Sequence, residues 1–215
     1  MKLPVVVLGS SGHAKVILEI REEDGSIVVH GCTSPDPTRK PGFACPLLGT
    51  DEILPELLRS GVKHAFVAIG DNRIRFRLIR AVAELGFGLV RAVSRHAVVS
   101  TRARVGQGAA IMPGAIVNVD SEIGDGAIVN TGATVDHDCR IGECAHIAPG
   151  VNLAGNVRVG AGAFLGIGCC VIPGVTIGDW AVVGAGAAVV RDVPAGVTAL
   201  GVPATPRDTA YERRR

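Results

Sequence analysis

A six-residue period runs through the second half of the chain and leaves few possibilities for its fold. From Val99 onward an aliphatic residue recurs at every sixth position, sixteen times without an insertion. A residue of small or medium size stands four places after each of them. The aliphatic series is Val99, Val105, Ile111, Val117, Ile123, Val129, Val135, Ile141, Ile147, Leu153, Val159, Leu165, Val171, Ile177, Val183 and Val189. The second series is Ala103, Ala109, Ala115, Ser121, Ala127, Ala133, Cys139, Ala145, Val151, Val157, Ala163, Cys169, Val175, Ala181, Ala187 and Val193.

This period fits neither a simple helix nor a simple strand. An amphipathic helix repeats near 3.6 residues and a strand near 2, so a strict period of six requires a chain that turns a corner once per repeat. Each unit can bury its apolar residue only by stacking on its neighbours, which predicts a solenoid of short strands. Glycine often follows the aliphatic residue and permits unusual backbone angles or close approach of another chain segment. These glycines are Gly106, Gly124, Gly142, Gly160, Gly166, Gly178 and Gly184.

The first ninety residues have a different pattern, in which apolar runs alternate with amphipathic ones. Strands are predicted at 5–8, 27–29, 65–69 and 89–93, and helices at 14–20, 51–60 and 74–85. Such alternation predicts a small parallel α/β domain. Its ligands should gather at the carboxyl ends of the strands, where residues 9–13 and 69–72 would lie. A helix N-terminus at that edge favours phosphate.

The glycines after the first strand do not complete a dinucleotide fingerprint. The pattern G-x-G-x-x-G requires three glycines, whereas only Gly9 and Gly12 are present and His13 follows directly. A nicotinamide-dependent enzyme is therefore disfavoured.

Composition excludes several other classes of protein. With 22 Lys+Arg against 20 Asp+Glu, and a basic cluster only at residues 213–215, the chain has no broad basic surface for nucleic acid or an anionic membrane. One Trp, one Tyr and five Phe offer few stacking platforms for single-stranded nucleic acid. The first apolar run is too short for a signal peptide or a membrane span, so we expect a cytoplasmic protein. Six cysteines without C-x-x-C spacing predict reduced thiols rather than a zinc site or a disulfide framework.

The hexads resemble the left-handed β-helix of bacterial acyltransferases, in which three hexads form one triangular coil. The resemblance covers about residues 97–204, and its closing segments 192–196 and 201–204 resemble the end of that helix and its CoA-contacting tail. The left hand is implied by the resemblance alone. The predicted fold is a Rossmann-like domain with a small parallel sheet at 1–94, a left-handed β-helix at 95–204 and a C-terminal tail at 205–215.

Two segments of the first domain carry a more specific resemblance. Gly-Ser-Ser-Gly-His-Ala-Lys at 9–15 and Ile-Gly-Asp-Asn-Arg at 69–73 resemble the sugar acetyltransferases that make bacillosamine, perosamine and related sugars, and the sialic acid O-acetyltransferase group. The resemblance implies that this domain holds a nucleotide-linked amino sugar while the β-helix holds acetyl-CoA as co-substrate, with no metal. It implies substrate contacts from Gly9, Ser10, Ser11, Gly12, His13, Lys15, Asp71 and Asn72. His13 and Lys15 could equally be side chains that cap the first helix or lie on its surface without contacting a ligand.

One segment departs from the family. After the second strand the family often carries paired aspartates, whereas residues 31–36 read Gly-Cys-Thr-Ser-Pro-Asp. Recognition of the nucleotide base is therefore left open.

Acyl transfer to an amine needs a base for the proton, and histidine is the usual choice because its pKa lies near neutral pH. From Val99 onward the chain contains two histidines, His137 and His146, in a stretch that resembles the catalytic segment of the nucleotide-sugar acetyltransferases. The resemblance implies that His137 is the general base and that Asp136 or Asp138 orients its ring. The competing interpretation is a solvated surface histidine.

The distance between the two histidines predicts an assembly. Nine residues are half of an eighteen-residue coil, so the two imidazoles should lie on different faces of one subunit. A ligand that touches both would have to bind between subunits, which agrees with the homotrimers of the family.

The remaining ligand contacts come from the resemblance. It implies that His146 and Asn130 help to hold substrate or acetyl-CoA and that the Gly155 amide is the oxyanion donor. The CoA chain is expected near Ile167, Ala185 and Pro203, each of which also satisfies a repeat or turn position. Trp180 is expected to face outward, toward a neighbouring subunit or a ligand.

Three alternatives to sugar N-acetylation stay open. A hydroxyl acceptor, such as a sialic acid or a serine, would use the same base for O-acetylation. A carbonic anhydrase on the same helix would need three histidines around zinc, which two histidines on separate faces fit poorly. A non-catalytic β-helix would be a binding scaffold without acetyl-CoA.

Overall fold

The computed structural model describes residues 2–36, 38 and 45–207. Most of the predicted C-terminal tail, residues 208–215 with the basic cluster, lies outside these residues. The described chain forms a small α/β unit followed by a long stack of two-residue strands.

The first unit is a parallel sheet of five strands in the order β3-β2-β1-β4-β5. Its strands are β1 Leu3–Leu8, β2 Ile27–Thr33, β3 Leu47–Gly49, β4 His64–Val67 and β5 Gly88–Leu89. The helices are α1 Gly12–Asp24, α2 Leu54–Arg59 and α3 Asn72–Glu84, with a short 3₁₀ turn at Asp51–Ile53. Residues Ile17, Leu18 and Ile20 of α1 pack on one face of the sheet. Helices α2 and α3 cover the other face. This arrangement confirms the predicted parallel α/β domain.

Three details differ from the predicted elements. Strand β3 was not expected, because three residues are too few to show a periodic pattern. The helix expected at 51–60 is divided into the 3₁₀ turn and α2, and Pro55, which cannot donate a backbone hydrogen bond, occupies the first turn of α2. The strand expected at 89–93 is also divided, since Gly88–Leu89 pairs with β4 and Ala92–Val93 pairs with Ala110–Ile111 of the second unit.

The second unit is a parallel β-helix whose strands stack into three sheets. We name the sheets the first, second and third face, in the order in which the chain visits them. Cα partners on a face are eighteen residues apart, as in Ile116 and Thr134 or Glu122 and Arg140, so three hexads make one coil.

The first face begins with the strand that follows the α/β unit. It contains β6 Ala92–Val93, β9 Ala110–Ile111, β12 Ile128–Val129, β15 His146–Ile147, β18 Phe164–Leu165, β21 Val182–Val183 and β23 Thr198–Leu200, and β24 Thr205–Arg207 joins antiparallel at the end. The second face contains β7 Val98–Val99, β10 Ile116–Val117, β13 Thr134–Val135, β16 Asn152–Leu153, β19 Cys170–Val171 and β22 Ala188–Val189. The third face contains β8 Arg104–Val105, β11 Glu122–Ile123, β14 Arg140–Ile141, β17 Arg158–Val159 and β20 Thr176–Ile177.

Both periodic series of the sequence point into the prism. From Ala109 to Val193 they form one buried cluster, and Ile147, Leu165 and Ile177 have no exposed surface. Burying such a side chain is worth about 1.5–3 kcal/mol, so the repeated apolar positions dominate the stability of the stack. Val99 and Val105 are only partly buried because they lie at its open end.

The glycines that follow the aliphatic positions allow the next coil to approach closely, and none of them has a positive φ. A Cβ built on Gly142 would lie 2.5 Å from the Ala161 nitrogen of the next coil, and one on Gly124 would lie 2.7 Å from the Glu143 nitrogen. Real Cβ atoms do not approach backbone so closely, so these positions need glycine for stacking.

The α/β unit docks on the first face and on the adjoining corner. Ala110, Met112 and Ile128 of the β-helix share a buried cluster with α1 and β1. Trp180 packs edge-to-face on Phe76 of α3, with ring centroids 5.6 Å apart. Trp180 thus points out of the prism, as expected, and packs against helix α3 of the same chain while staying partly exposed.

Candidate active site

His137 lies in the corner turn of residues 136–139, between the second and third faces. The turn follows β13 and precedes β14, and Asp138 adopts the left-handed conformation with φ 60°. Short polar residues such as Asp tolerate this conformation better than other side chains. The side chain of His137 is 55% exposed, so this corner presents the imidazole to solvent.

Two carboxylates hold the histidine in different ways. His137 Nδ1 lies 2.8 Å from Asp138 Oδ2, while the His137 backbone N–H donates to Asp136 Oδ1 over 2.8 Å. Asn118 Nδ2 also donates to Asp136 Oδ1, at 2.9 Å. Asp138 thus contacts the ring, and Asp136 contacts the backbone of the turn.

These contacts set the electrostatics of the corner. The hydrogen bond that Asp138 accepts from the ring, helped by the charge of Asp136, raises the pKa of His137 above its usual value. The amide of Asn118 and the His137 N–H lower the pKa of Asp136. With Nδ1 committed to Asp138, the other ring nitrogen, Nε2, is left to accept a proton from a ligand.

The ring of His137 lies against Gly155 of the next coil. A Cβ on Gly155 would lie 2.6 Å from both Cε1 and Nε2 of His137, so this position leaves no room for another side chain. Among the described residues, the Gly155 N–H donates no hydrogen bond, although Gly155 is buried. This N–H belongs to the residue against which the His137 ring packs.

His146 has the opposite environment. It lies on the first face, is 8% exposed, and its Nε2 is 3.0 Å from Asn130 Nδ2. Its Nδ1 is buried without a hydrogen-bond partner. Burial, together with the charge of Arg75, lowers the pKa of His146 to about 3. His137 and His146 therefore lie on different sides of the prism, as their spacing predicts.

An interdomain cavity of about 680 Å³ opens above His146. The α/β unit lines it with Ser11, His13, Ile69, Gly70, Asp71, Asn72 and Ile74, and the β-helix lines it with His146 and Phe164. His13 Nε2 is buried without a partner, and burial lowers the pKa of His13 to about 4. Two neutral imidazoles thus border one cavity at the carboxyl edge of the sheet.

The predicted substrate residues divide between this cavity and its surroundings. Ser11, His13, Asp71 and Asn72 line the cavity, and Asp71 Oδ1 caps α3 by accepting the N–H groups of Arg73 and Ile74. The others are outside the lining: Gly9, Ser10, Gly12, the exposed Lys15, and Asn130, which reaches it only through His146. Gly9 has φ 115°, and a Cβ there would meet the Ala68 carbonyl oxygen at 2.8 Å, so the turn itself requires glycine.

Arg75 on α3 joins the two units and was missed by sequence reasoning. Its five N–H groups make five hydrogen bonds, to the carbonyls of Gly126 and Cys144 in the β-helix, to those of Ile69 and Gly70, and to Asn72 Oδ1. Its side chain is 1% exposed, and burial lowers the pKa of Arg75 to about 10. An arginine in the buried stripe of an amphipathic helix was the available signal, because that stripe is otherwise apolar.

Asn72 completes this junction. Its Nδ2 donates to the carbonyls of Gly162 at 3.0 Å and Ala163 at 3.1 Å, while its oxygen accepts from Arg75. The amide thus holds the β-helix at the cavity rim, in addition to lining the cavity.

A second cavity continues along the first face. It has a volume of about 480 Å³ and is lined by Ile167 and Ala185 at the corner, by Val182 and Leu200 on the face, and by Phe164, which also borders the interdomain cavity. Ile167 is 62% exposed. Pro203, which follows a cis peptide bond, is exposed and outside this lining. The apolar groove suits an extended chain such as the pantetheine arm of CoA.

Within residues 2–36, 38 and 45–207, no group of three or more His, Cys, Asp and Glu side chains could hold a metal ion. No described helix is both long and apolar enough to cross a membrane.

Comparison with known proteins agrees with this geometry. Residues 4–82 match the PglD N-terminal domain family. A histidine-to-asparagine variant of perosamine N-acetyltransferase from Caulobacter crescentus, in complex with CoA and GDP-perosamine, is 50% identical, with a TM-score of 0.93 over 96% of this chain and 97% of that chain. The acetyltransferase domain of PglB from Neisseria gonorrhoeae in complex with acetyl coenzyme A is 37% identical, with a TM-score of 0.89 over 96% and 100%. A search of the curated proteins returned no match.

The stacked hexads and the likeness to the Caulobacter enzyme show an acyltransferase built on a left-handed β-helix. This confirms the predicted fold class. The chain belongs to the family of nucleotide-sugar N-acetyltransferases that includes the Caulobacter perosamine enzyme and the PglB domain.

Proposed function

We propose that this protein transfers the acetyl group of acetyl-CoA to the amino group of a nucleotide-linked sugar. The observation that carries the proposal is the pairing of His137 with the Gly155 amide. This pairing combines a base oriented by a carboxylate with an unused backbone N–H at the same corner. A relative that shares half of its residues binds CoA and GDP-perosamine, so a GDP-linked amino sugar is the first substrate to test.

The residues have separate roles in the proposed reaction. The uncharged sugar amine attacks the thioester carbonyl with its lone pair, and His137 Nε2 accepts the proton that the nitrogen loses as it becomes an amide. The Gly155 N–H donates to the oxygen that becomes negative, an interaction worth about 3 kcal/mol when it is correctly placed. When the carbon–sulfur bond breaks, His137 returns the proton to the departing sulfur. The amide and free CoA are the products, and the enzyme regains its starting protonation state.

Asp138 supports the base in this reaction. Its carboxylate holds the His137 ring through Nδ1 and stabilises the imidazolium that forms after proton transfer. Asp136 secures the backbone N–H of His137 instead, so we assign the orienting role to Asp138.

Substrate and co-substrate are assigned to the two cavities. The interdomain cavity, with Ser11, His13 and Asp71, would receive the nucleotide-linked sugar. The groove beside Ile167 and Ala185 would receive the pantetheine arm, and Pro203, two residues after the groove-lining Gly201, would contact CoA outside it. Asn130 supports the ring of His146, which borders the interdomain cavity.

We also propose that the active enzyme is a homotrimer. Within one chain His137 and the interdomain cavity lie on different sides of the prism, so a second copy has to bring them together. Apolar side chains exposed near the second face, Val98, Ile172 and Val190, support burial of this side against a neighbour. Light scattering on a sizing column tests this, since a mass of one chain would contradict it. We place the enzyme in the cytoplasm, where acetyl-CoA and nucleotide sugars are made.

The function is tested by offering the purified protein acetyl-CoA with GDP-, UDP- and TDP-linked amino sugars and measuring the release of free thiol. The expected result is turnover with an amino sugar and none with the matching 4-hydroxy sugar. Turnover with hydroxy sugars alone would show O-acetylation instead. Failure to bind acetyl-CoA would show a scaffold without catalysis.

A further inference from the structure

Ser121 stands out among the residues that point into the prism. The small-residue series contains alanine, valine and two cysteines, and Ser121 is its one hydroxyl side chain. It has no exposed surface. Its Oγ donates to the Asp136 carbonyl oxygen over 2.6 Å and accepts the Cys139 N–H over 3.1 Å. The hydroxyl therefore joins both ends of the corner turn that carries His137.

Cys139 repeats this arrangement one coil further along. Its Sγ donates to the Ala154 carbonyl oxygen over 3.3 Å. Both contacts span fifteen residues and both side chains are fully buried, so the same geometry occurs twice. Ala103 below and Val157 above, at the same corner, have no donor in the side chain. The pattern is thus confined to the two turns that carry His137 and Gly155.

The Asp136 and Ala154 carbonyls belong to the peptide groups that carry the N–H of the proposed base and the N–H of the proposed oxyanion donor. The Asp136 carbonyl shares its planar peptide unit with the His137 N–H, and the Ala154 carbonyl shares its unit with the Gly155 N–H. A hydrogen bond to the carbonyl oxygen fixes the orientation of that plane. It also polarises the unit and so strengthens the N–H on its other side as a donor.

We propose that Ser121 and Cys139 are positioning residues for catalysis: from inside the prism Ser121 holds the backbone of the base His137, and Cys139 aims the Gly155 N–H at the oxyanion. This proposal rests on the proposed function, since it uses the role of Gly155 in acyl transfer. Neither side chain touches a substrate, so both act only through the peptide groups that they hold.

The protonation state of Cys139 is compatible with this role. Burial raises the pKa of the Cys139 thiol, so it stays protonated and can donate. Cys169 provides a matched control, because it belongs to the same inward series and is equally buried. Among the described residues, the Cys169 thiol makes no hydrogen bond to a corner carbonyl.

The test compares Ser121→Ala, Cys139→Ala and Cys139→Ser with Cys169→Ala. Alanine occupies this inward position in many other hexads, so the alanine variants should fold. Cys139→Ala and Ser121→Ala should each lower kcat about 10-fold, the effect of losing the one hydrogen bond that each side chain donates to a corner carbonyl, with KM for both substrates within twofold of the parent. Cys139→Ser should retain most of the rate, because its hydroxyl can donate to the same carbonyl. Cys169→Ala should lower the melting temperature as Cys139→Ala does while leaving kcat unchanged.

The proposal is overturned if kcat of Ser121→Ala and Cys139→Ala stays within twofold of the parent. It is equally overturned if Cys169→Ala loses as much kcat as Cys139→Ala, since packing alone would then explain the loss. If the parent protein acetylates an amino sugar, the proposed function stands whichever result these variants give. A parent that does not turn over would instead refute the proposed function directly.

Discussion

The corner around His137 and the cavity around His146 place the same side chain in opposite environments. His137 is solvent-exposed between two aspartates, and the Asp138 hydrogen bond raises its pKa. His146 is buried near Arg75, and burial lowers its pKa to about 3. The first imidazole is suited to accept and return a proton near neutral pH, whereas the second stays neutral and is suited to hydrogen bonding. Surroundings, rather than residue type, separate the two functions.

The largest effect is expected from removing the exposed histidine. His137→Ala should lower kcat with an amino sugar by at least about 100-fold, since a positioned base contributes that much or more. Turnover with acetyl-CoA measures it, and His96→Ala, at an exposed histidine paired with Glu23, is the control that should keep the parent rate. A near-normal rate for His137→Ala would show that His137 is not the base, and the contrast between a catalytic His137 and a buried His146 would no longer hold.

The next effect concerns the arginine beside the buried histidine. Arg75→Lys keeps the charge but cannot make the five hydrogen bonds of the guanidinium, so several buried carbonyls lose their partners. We expect the free energy of unfolding to fall by about 3 kcal/mol, measured by urea denaturation. Arg73→Lys is the matched control: Arg73 is exposed and stacks on Trp180, so its loss should be small. Equal losses in both variants would show that Arg75 is not the main tie between the units.

A smaller effect should follow from removing the carboxylate at the exposed corner. Asp138→Asn takes away the main cause of the raised pKa of His137, so that pKa should fall. Because the base acts in its neutral form, the acid limb of kcat/KM against pH should move to lower pH. The rate on the plateau should drop about 10-fold, since the ring loses part of its orientation. If the acid limb of Asp138→Asn stays at the parent pH while that of Asp136→Asn moves, Asp136 rather than Asp138 orients the His137 ring.

The smallest effect is a pH dependence of stability that arises from the buried histidine. The unfolded chain protonates histidine near pH 6.5, whereas folded His146 resists protonation down to about pH 3. The unfolded state therefore binds more protons between these values, so stability is full above about pH 6.5 and declines as the pH falls toward 3. His146→Gln should flatten the fall in melting temperature between pH 7 and 5. An unchanged slope would mean that other groups, such as His13, cause the dependence.

Much of the architecture could be predicted because the signals are local. The hexads from Val99 to Val189 predicted the stacked coils, and Gly9-Ser10-Ser11-Gly12-His13 predicted the turn at the edge of the sheet. Strand β3 and the split between Gly88–Leu89 and Ala92–Val93 were missed, because short strands are decided by their pairing partners rather than by their own residues.

The candidate site was only partly readable from the sequence. His137, the pair Asp136 and Asp138, and Gly155 were selected through the family resemblance, and the structure places Asp138 and Gly155 against the His137 ring. The sequence could not show which of Asp136 and Asp138 contacts the imidazole. That depends on the left-handed conformation of Asp138 and on the hydrogen bond from the His137 backbone N–H to Asp136.

By itself, the sequence determined the period, and with it the inward series and the stacking of coil on coil, because each hexad repeats the same short-range burial. Only the tertiary structure decided how the α/β unit docks on the first face. Arg75 and Asn72 bind carbonyls 51 to 91 residues further along the chain, and no local pattern encodes contacts at that distance. The buried environment of His146 follows from that docking, and so does the cavity in which a sugar nucleotide would bind.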